Sequence, residues 1–327
     1  MSPVIQGILT ILIGVGGIVA YFWASNLILD KVIFPARGPN IGRNINRANA
    51  VRPWLFLLPA ILALAIYLVY PVFGSFWRSL FDRSGAEFIG FGNYAQLAGD
   101  AEFRQSLFNN LLWVLVVPAG ATFFGLLAAQ LTDRLAWGNI AKSLIFMPMA
   151  ISFVGASLIW KFVYANDADI GLINAVRVHV FGAAGPIDPL QIPFWNNFFL
   201  MFILIWIQTG FAMVILSAAL RGIPEETVEA AIIDGASPLQ IFFRIKVPQI
   251  MGTVVVVWTT ITILVLKVFD IVYATTGGNF GTQILPSYMM EYMFRDDGRA
   301  TATAFVIMIV VLPVMIWNIV QSRKETR

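Results

Sequence analysis

The sequence predicts an all-α integral membrane protein with about seven transmembrane helices, and three observations carry that expectation. Of 327 residues, 59% are hydrophobic and only 12% charged, against about 25% charged in an average soluble domain. Apolar runs recur along the chain, each long enough to cross a bilayer as a helix at ~20 residues per crossing. Ten Trp, within an aromatic share of 14%, suit the belts that aromatic rings form where membrane meets water.

Composition also narrows the chemistry. The chain has no Cys, so it can form neither a disulfide nor a thiolate metal site. Its one histidine, His179, rules out a histidine cluster and reads as an exposed loop residue. Gly-Lys occurs nowhere, so a phosphate-binding P-loop is missing, and ATP with its Mg would have to be bound by other chains. No acid–base, metal or nucleophile constellation marks an enzyme, and no cofactor is expected.

Taken in order, residues 4–29 are apolar and uncharged. Met1-Ser2-Pro3 carries no Lys or Arg and no small-residue cleavage pattern follows, so this is read as a retained helix and not a cleaved signal. Residues 30–53 hold Lys31, Arg37, Arg43, Arg47 and Arg52. Between two spans this reads as a basic linker on the cytoplasmic side, not a nucleic-acid tail. Residues 1–53 therefore form an N-terminal helix plus linker, and 54–327 the main membrane domain. Further spans are expected at about 54–77, 107–131, 140–164, 195–220, 253–276 and 300–321. Within 140–164, Met147-Pro148 and Gly155 mark a kink or close packing.

Basic residues set the orientation. With 30–53 inside, thirteen Lys and Arg fall in inside segments and six outside, the six being Arg78, Arg83, Arg104, Arg177, Arg295 and Arg299. The N-terminus is then external and the C-terminus cytoplasmic. Asp82, Glu87, Asp100, Glu102, Asp167, Asp169 and Asp188 lie in the external segments.

Segment 221–252 breaks the apolar pattern, with Glu225, Glu226, Glu229 and Asp234 inside ten residues. Pro224 suits the first position of a helix, and the following acids suit its positive end. Gly235 is a helix stop, Ser237-Pro238 a new start, and Pro248 a second end. Two short helices joined by a glycine elbow are expected, outside the bilayer.

That segment resembles the EAA loop of the membrane subunits of bacterial ABC importers. The match runs through Ile223-Pro224-Glu225, Glu229-Ala230-Ala231, Asp234-Gly235-Ala236, Gln240, Phe242, Ile245 and Pro248. The resemblance implies a coupling helix docked on an ATP-hydrolysing subunit through Glu229, Ala230, Ala231, Asp234, Gly235 and Ala236. Small Ala230 and Ala231 would let the partner approach, and Glu229 would meet a cation there. Phe88-Ile89-Gly90, Asn93-Tyr94, Phe103 and Asn109-Asn110 resemble the first external loop and second core helix of sugar-importer permeases. By themselves, Asn93 and Tyr94 read as turn residues.

Polar groups inside the spans point to a path. A charge at mid-bilayer costs about 2.5–3.5 kcal/mol, yet Lys267 and Asp270 both fall in 253–276. Three apart, they either pair structurally or line a translocation path. Phe269-Asp270, Tyr273, Thr275-Thr276 and Gly277-Gly278 resemble the F-D…Y…T-G-G run of carbohydrate permeases, with Lys267 where an amide is expected. In span 195–220 the stretch Trp206 to Phe211 is the second candidate face, and counting back from Ile223-Pro224 its Gln208, Thr209 and Phe211 align without gaps with the sugar-contacting stretch of the maltose-type subunit. Aromatic faces stack on sugar rings while amides and hydroxyls bond their hydroxyl groups. Helix packing would explain Trp206 and Phe211 equally, and interhelical hydrogen bonding Gln208 and Thr209.

The resemblance covers 54–321 and implies a six-helix importer core plus the extra N-terminal helix, in the bacterial inner membrane. It is nearest to the alpha-glucoside permeases. It further implies a second related permease subunit, two ATPase subunits that hold ATP and Mg, an external sugar-binding protein, lipid contact and no nucleic acid. Lys267 leaves open an acidic or sulfonated glycoside. The competing class is a secondary transporter with Lys267 and Asp270 as its ion-coupling pair.

Overall fold

The computed structural model describes residues 2–35, 41–133 and 135–325, so Arg37, Arg134 and Arg327 of the basic residues counted above lie outside it. Two compact units divide at Gly74 and Ser75.

In the first unit, α1 (Pro3–Ile28) opens with Pro3 at its first position and Ser2 as cap, the Ser2 Oγ accepting from the Ile5 N–H at 3.4 Å. It runs on through a π-helical turn, Leu29–Ile33. α2 (Ile41–Leu64) begins within the basic segment, so residues 41–53 are helical. Arg52 donates to both oxygens of Asp30 at 2.7 and 2.9 Å, and Tyr21 Oη donates to the Leu55 carbonyl at 2.8 Å. These bonds hold the two helices together.

After α3 (Tyr70–Arg78), the second unit turns at Asp82 and enters α4 (Gly92–Gly99) and α5 (Ala101–Thr132). α6 (Gly138–Phe146) and α7 (Phe153–Val163) follow, then α8 (Leu172–Ala175) and α9 (Trp195–Arg221). The short α10 (Glu225–Ile233), α11 (Pro238–Ile241) and α12 (Val247–Gln249) form the polar loop. α13 (Met251–Val265), α14 (Asp270–Thr275), α15 (Leu285–Tyr292) and α16 (Asp297–Glu325) complete the unit.

The core forms around α5 and α9. Their backbones meet at Gly125, where a Cβ would fall 2.4 Å from Ala212 Cβ and 2.9 Å from the Met213 nitrogen. Only glycine permits that approach, the device small residues supply between membrane helices. Trp113 and Val117 of α5, Leu204 and Leu216 of α9, and Val257, Ile261 and Val265 of α13 fill the contact and are buried.

Among the described residues, four helical stretches are long and apolar enough to cross a membrane: Pro3–Ile33, Ile41–Arg78, Ala101–Thr132 and Trp195–Arg221. Two bent pairs raise the number to six, and α16 (Asp297–Glu325) covers the last expected span, 300–321. The pair Gly138–Ala150 and Phe153–Val163 bends by 105° just past Met147-Pro148, where proline was read as a kink. The pair Pro238–Gln249 and Met251–Val265 bends by 71°. That bend corrects the expected stop at Pro248, which sits inside a helical turn with Ile250 as the corner. Span 253–276 is also not one helix, since α13 stops at Val265 and α14 restarts at Asp270.

Candidate functional site

The polar loop has the two-helix form expected, displaced by one residue at its start. Pro224 caps α10 instead of opening it. At the far end the Ala236 N–H donates to the Ala231 carbonyl and the Gly235 N–H to the Ile232 carbonyl, both at 3.0 Å. This is a Schellman turn, and Gly235 takes the left-handed conformation it needs at φ 79°. Ser237 and Gln240 then close a capping box, with Ser237 N–H to Gln240 Oε1 at 2.8 Å.

The faces of the loop differ from expectation in one respect. Glu229, Ala230 and Asp234 are exposed, but Ala231 is buried, so only one of the two alanines is presented outward. Beside Ala230 the loop also exposes Ile232, Ile233 (85% exposed), Leu239 and Phe243. Their exposure beside Glu229 and Asp234 puts large apolar side chains on the outside of a polar loop.

A polar hollow of about 620 Å³ lies beneath the loop, lined by Glu225 and Glu229 of α10 together with Arg221, Lys246 and Asp133. Sequence reasoning missed the cluster at its edge. Asp133 Oδ1 accepts from Arg221 Nε at 3.2 Å and Nη2 at 3.0 Å, from Ser217 Oγ at 3.1 Å, and from Lys142 Nζ. Lys142 also donates to Ser217 Oγ at 2.7 Å. Burial pushes the Asp133 carboxyl upward in pKa; the hydrogen bonds from Lys142, Arg221 and Ser217 outweigh it and hold the group below its ordinary value.

The other candidate residues divide between two faces of α9. Successive residues turn by roughly 100° in an α-helix, so Trp206 and Thr209 share one side and Gln208 and Phe211 the opposite one. Trp206 and Thr209 line an apolar hollow of about 660 Å³ with Phe124, Leu127, Leu144 and Pro148. Trp206 packs edge-on against Trp160 at 5.6 Å, and Thr209 Oγ1 donates to the Ile205 carbonyl at 2.7 Å. Gln208 is buried and Phe211 half-buried.

Lys267 and Asp270 do not form an ion pair. The turn between α13 and α14 separates them, and both are exposed. α13 packs on α5 and α9, and α14 on α7 and α9, which brings this break beside α9. Tyr273 is exposed and stacks on Phe269, with ring centres 4.9 Å apart. The loop after α14 is clamped by buried amides: Asn109 donates to the Gly281 and Gln283 carbonyls at 2.9 and 2.7 Å, and Asn196 to the Phe280 carbonyl at 2.8 Å. Asn93 is also structural, donating to the Ser79 and Phe81 carbonyls at 2.8 and 2.6 Å. Among the described residues, no three or more of His, Asp and Glu gather as metal ligands.

The family described as "Binding-protein-dependent transport system inner membrane component" matches residues 121–327. The chain is 61% identical to the alpha-glucoside transport system permease protein AglF of Rhizobium meliloti, over 100% of this chain and 99% of that protein. It is 47% identical to the osmoprotective compounds uptake permease protein GgtC of Synechocystis, over 84% and 99%. The crystal structure of a bacterial alginate ABC transporter in complex with an alginate pentasaccharide-bound periplasmic protein has a chain of the same fold. Its TM-score is 0.72 at 20% identity, covering 88% of this chain and 99% of that one.

Proposed function

The chain belongs to the family of binding-protein-dependent transport system inner membrane components, and from that premise we propose that it forms the translocation path for an alpha-glucoside in an ATP-driven importer. It is a permease subunit of an ABC importer, all-helical and not itself an enzyme, and it sits in the inner membrane. The 61% identity to an alpha-glucoside permease supports the cargo.

The observation that carries the mechanism is the 221–252 loop, a rigidly capped pair of short helices presenting Glu229, Ala230, Ile233 and Asp234 outward. In this reading the loop faces the cytoplasm, the N-terminus lies outside and the C-terminus inside. Two ATPase subunits hold ATP and Mg and bind the loop through Glu229, Ala230, Asp234, Gly235 and Ala236, with Ala231 packed behind. A second, related permease subunit completes the path, and an external binding protein delivers the sugar. ATP closes the ATPase pair and drives the bundle outward-open; the states interconvert because the loop's contacts differ between them.

The sugar is met by Gln208 and Phe211 on one side and by Lys267, Asp270 and Tyr273 at the α13–α14 break. Trp206 and Thr209, on the opposite face of α9, support the frame. The exposed Lys267, without a carboxylate partner among the described residues, favours one variant of this reading, a glycoside bearing an acidic or sulfonate group. The ion-coupled alternative is set aside, since its pair of charges is not a pair and the family is ATP-driven.

The test is uptake of labelled alpha-glucoside into proteoliposomes containing the whole importer and its binding protein. Gly235→Asp puts a side chain at φ 79° and a second charge beside Asp234. Its ATP-dependent uptake should fall by about 5- to 150-fold, the span of typical coupling energies, with normal amounts of subunit in the membrane. Uptake at the unaltered rate contradicts the docking role.

A further inference from the structure

Asp133 occupies a position that its own helix disfavours. It is the C-cap of α5, with φ −65° and ψ −20°. The unpaired carbonyls at a helix C-terminus carry negative partial charge, so a carboxylate there is repelled and a cation preferred. The chain answers with two cations from two other elements, Lys142 of α6 and Arg221 in the last turn of α9, plus the Ser217 hydroxyl. The Lys142 and Asp133 side chains are largely enclosed, at 15% and 23% exposure. An ion cluster of this kind adds little net stability over apolar packing, and setting register is the best-attested use of such a group.

Place in the chain gives that register a use. Arg221 is the final residue of α9, and α10 begins at Glu225. Glu225 and Glu229 line the same hollow as Asp133 and Arg221. A displacement of α10 therefore reaches Arg221 within one short connection, and through Asp133 it reaches α5 and α6.

We propose that Asp133 is a positioning residue for energy coupling: it ties the loop ends of α5, α6 and α9 into one block, so that the coupling loop cannot move without the two central helices. The inference rests on the docking of that loop on the ATPases. It assigns Asp133 no contact with sugar or nucleotide. Loss of the tie leaves ATP hydrolysis running and disconnects it from the path.

The test uses the complete importer with its binding protein in proteoliposomes. Ile233→Cys is carried in this otherwise Cys-free chain for cross-linking to the ATPase subunit. Asp133→Asn should keep the cross-link and the ATP hydrolysis while sugar moved per ATP falls roughly tenfold. Asp133→Glu, which keeps the carboxylate that Lys142, Arg221 and Ser217 bond, should retain most of that ratio. If Asp133→Asn fails to assemble, Arg221→Gln carries the test, since Lys142 and Ser217 remain on Asp133; it should lower the ratio with the cross-link intact. An unchanged ratio in an assembled, cross-linked variant overturns the proposal alone. A parent complex that gives no cross-link at residue 233 overturns the docking reading, and this inference with it.

Discussion

The two ends of α5 carry the same residue type and use it in opposite ways. Asp100 is the N-cap, where its Oδ1 accepts from the Glu102 and Phe103 N–H groups at 2.8 and 3.3 Å. The helix dipole favours a carboxylate there. Tyr288 Oη and Arg299 Nη1 add bonds to Oδ2 at 2.9 and 3.2 Å, and Arg299 rests over the Tyr292 ring at 4.8 Å. Asp133 at the other end works against the dipole and is held by two cations and the Ser217 hydroxyl, all from other elements. A group that agrees with its local surroundings serves stability. A group that disagrees, and is compensated at length, marks a place where something besides stability is set.

Variants at the two ends should separate these roles. The largest effect belongs to Asp133→Ala, which strips the loop-end cluster of its acceptor and leaves Lys142 and Arg221 without their carboxylate. Sugar moved per ATP should fall by about tenfold or more, read in the same proteoliposomes. Asp100→Ala comes next and acts differently. Loss of the cap lowers stability by about 0.5–2 kcal/mol, seen as a lower thermal midpoint of the purified complex, and the transport ratio stays unaltered. A fall in that ratio from Asp100→Ala would erase the distinction between the ends. Tyr288→Phe removes one hydrogen bond from the Asp100 side and should cost about 0.5–1.5 kcal/mol by the same thermal measurement.

The smallest effect concerns pH. Both carboxyls are held below their ordinary values. At Asp100 burial opposes the shift, while Tyr288, the two N–H groups and Arg299 produce it; at Asp133 Lys142, Arg221 and Ser217 do so against burial. A depressed folded-state pKa gives stability that is fully present above the unfolded value of about 3.9 and is lost as pH falls through the folded value. The transport ratio should therefore be flat from about pH 5 to about pH 8. A loss centred near neutrality would point to a different titrating group.

Local chemistry explains what could be read in advance. The loop was legible because its determinants lie within a few residues of one another: acids after Pro224, a left-handed Gly235, and the Ser237–Gln240 box. The apolar spans were legible from composition, though their bends were only half so. Met147-Pro148 announced one break. The Leu266–Phe269 break contains neither Gly nor Pro and reads as ordinary apolar helix apart from Lys267. The Asp133 cluster could not be read, because its partners stand 9, 84 and 88 positions away on other elements. For α9 the residue types were visible, yet grouping Trp206 with Gln208 overlooked the turn of the helix, which sends them to opposite faces. The Asn109 and Asn196 clamps on the 280–283 turn were hidden for the same long-range reason.

The central claim is that the coupling loop and the loop end of α5 move as one body. Pulsed electron spin resonance measures this directly, with labels at Ile233→Cys and Ala136→Cys in the assembled importer with its binding protein. The distance between the labels should be the same with ATP bound and without nucleotide, while the bundle changes from inward- to outward-open. A distance that shifts with nucleotide in the otherwise unaltered chain contradicts the account.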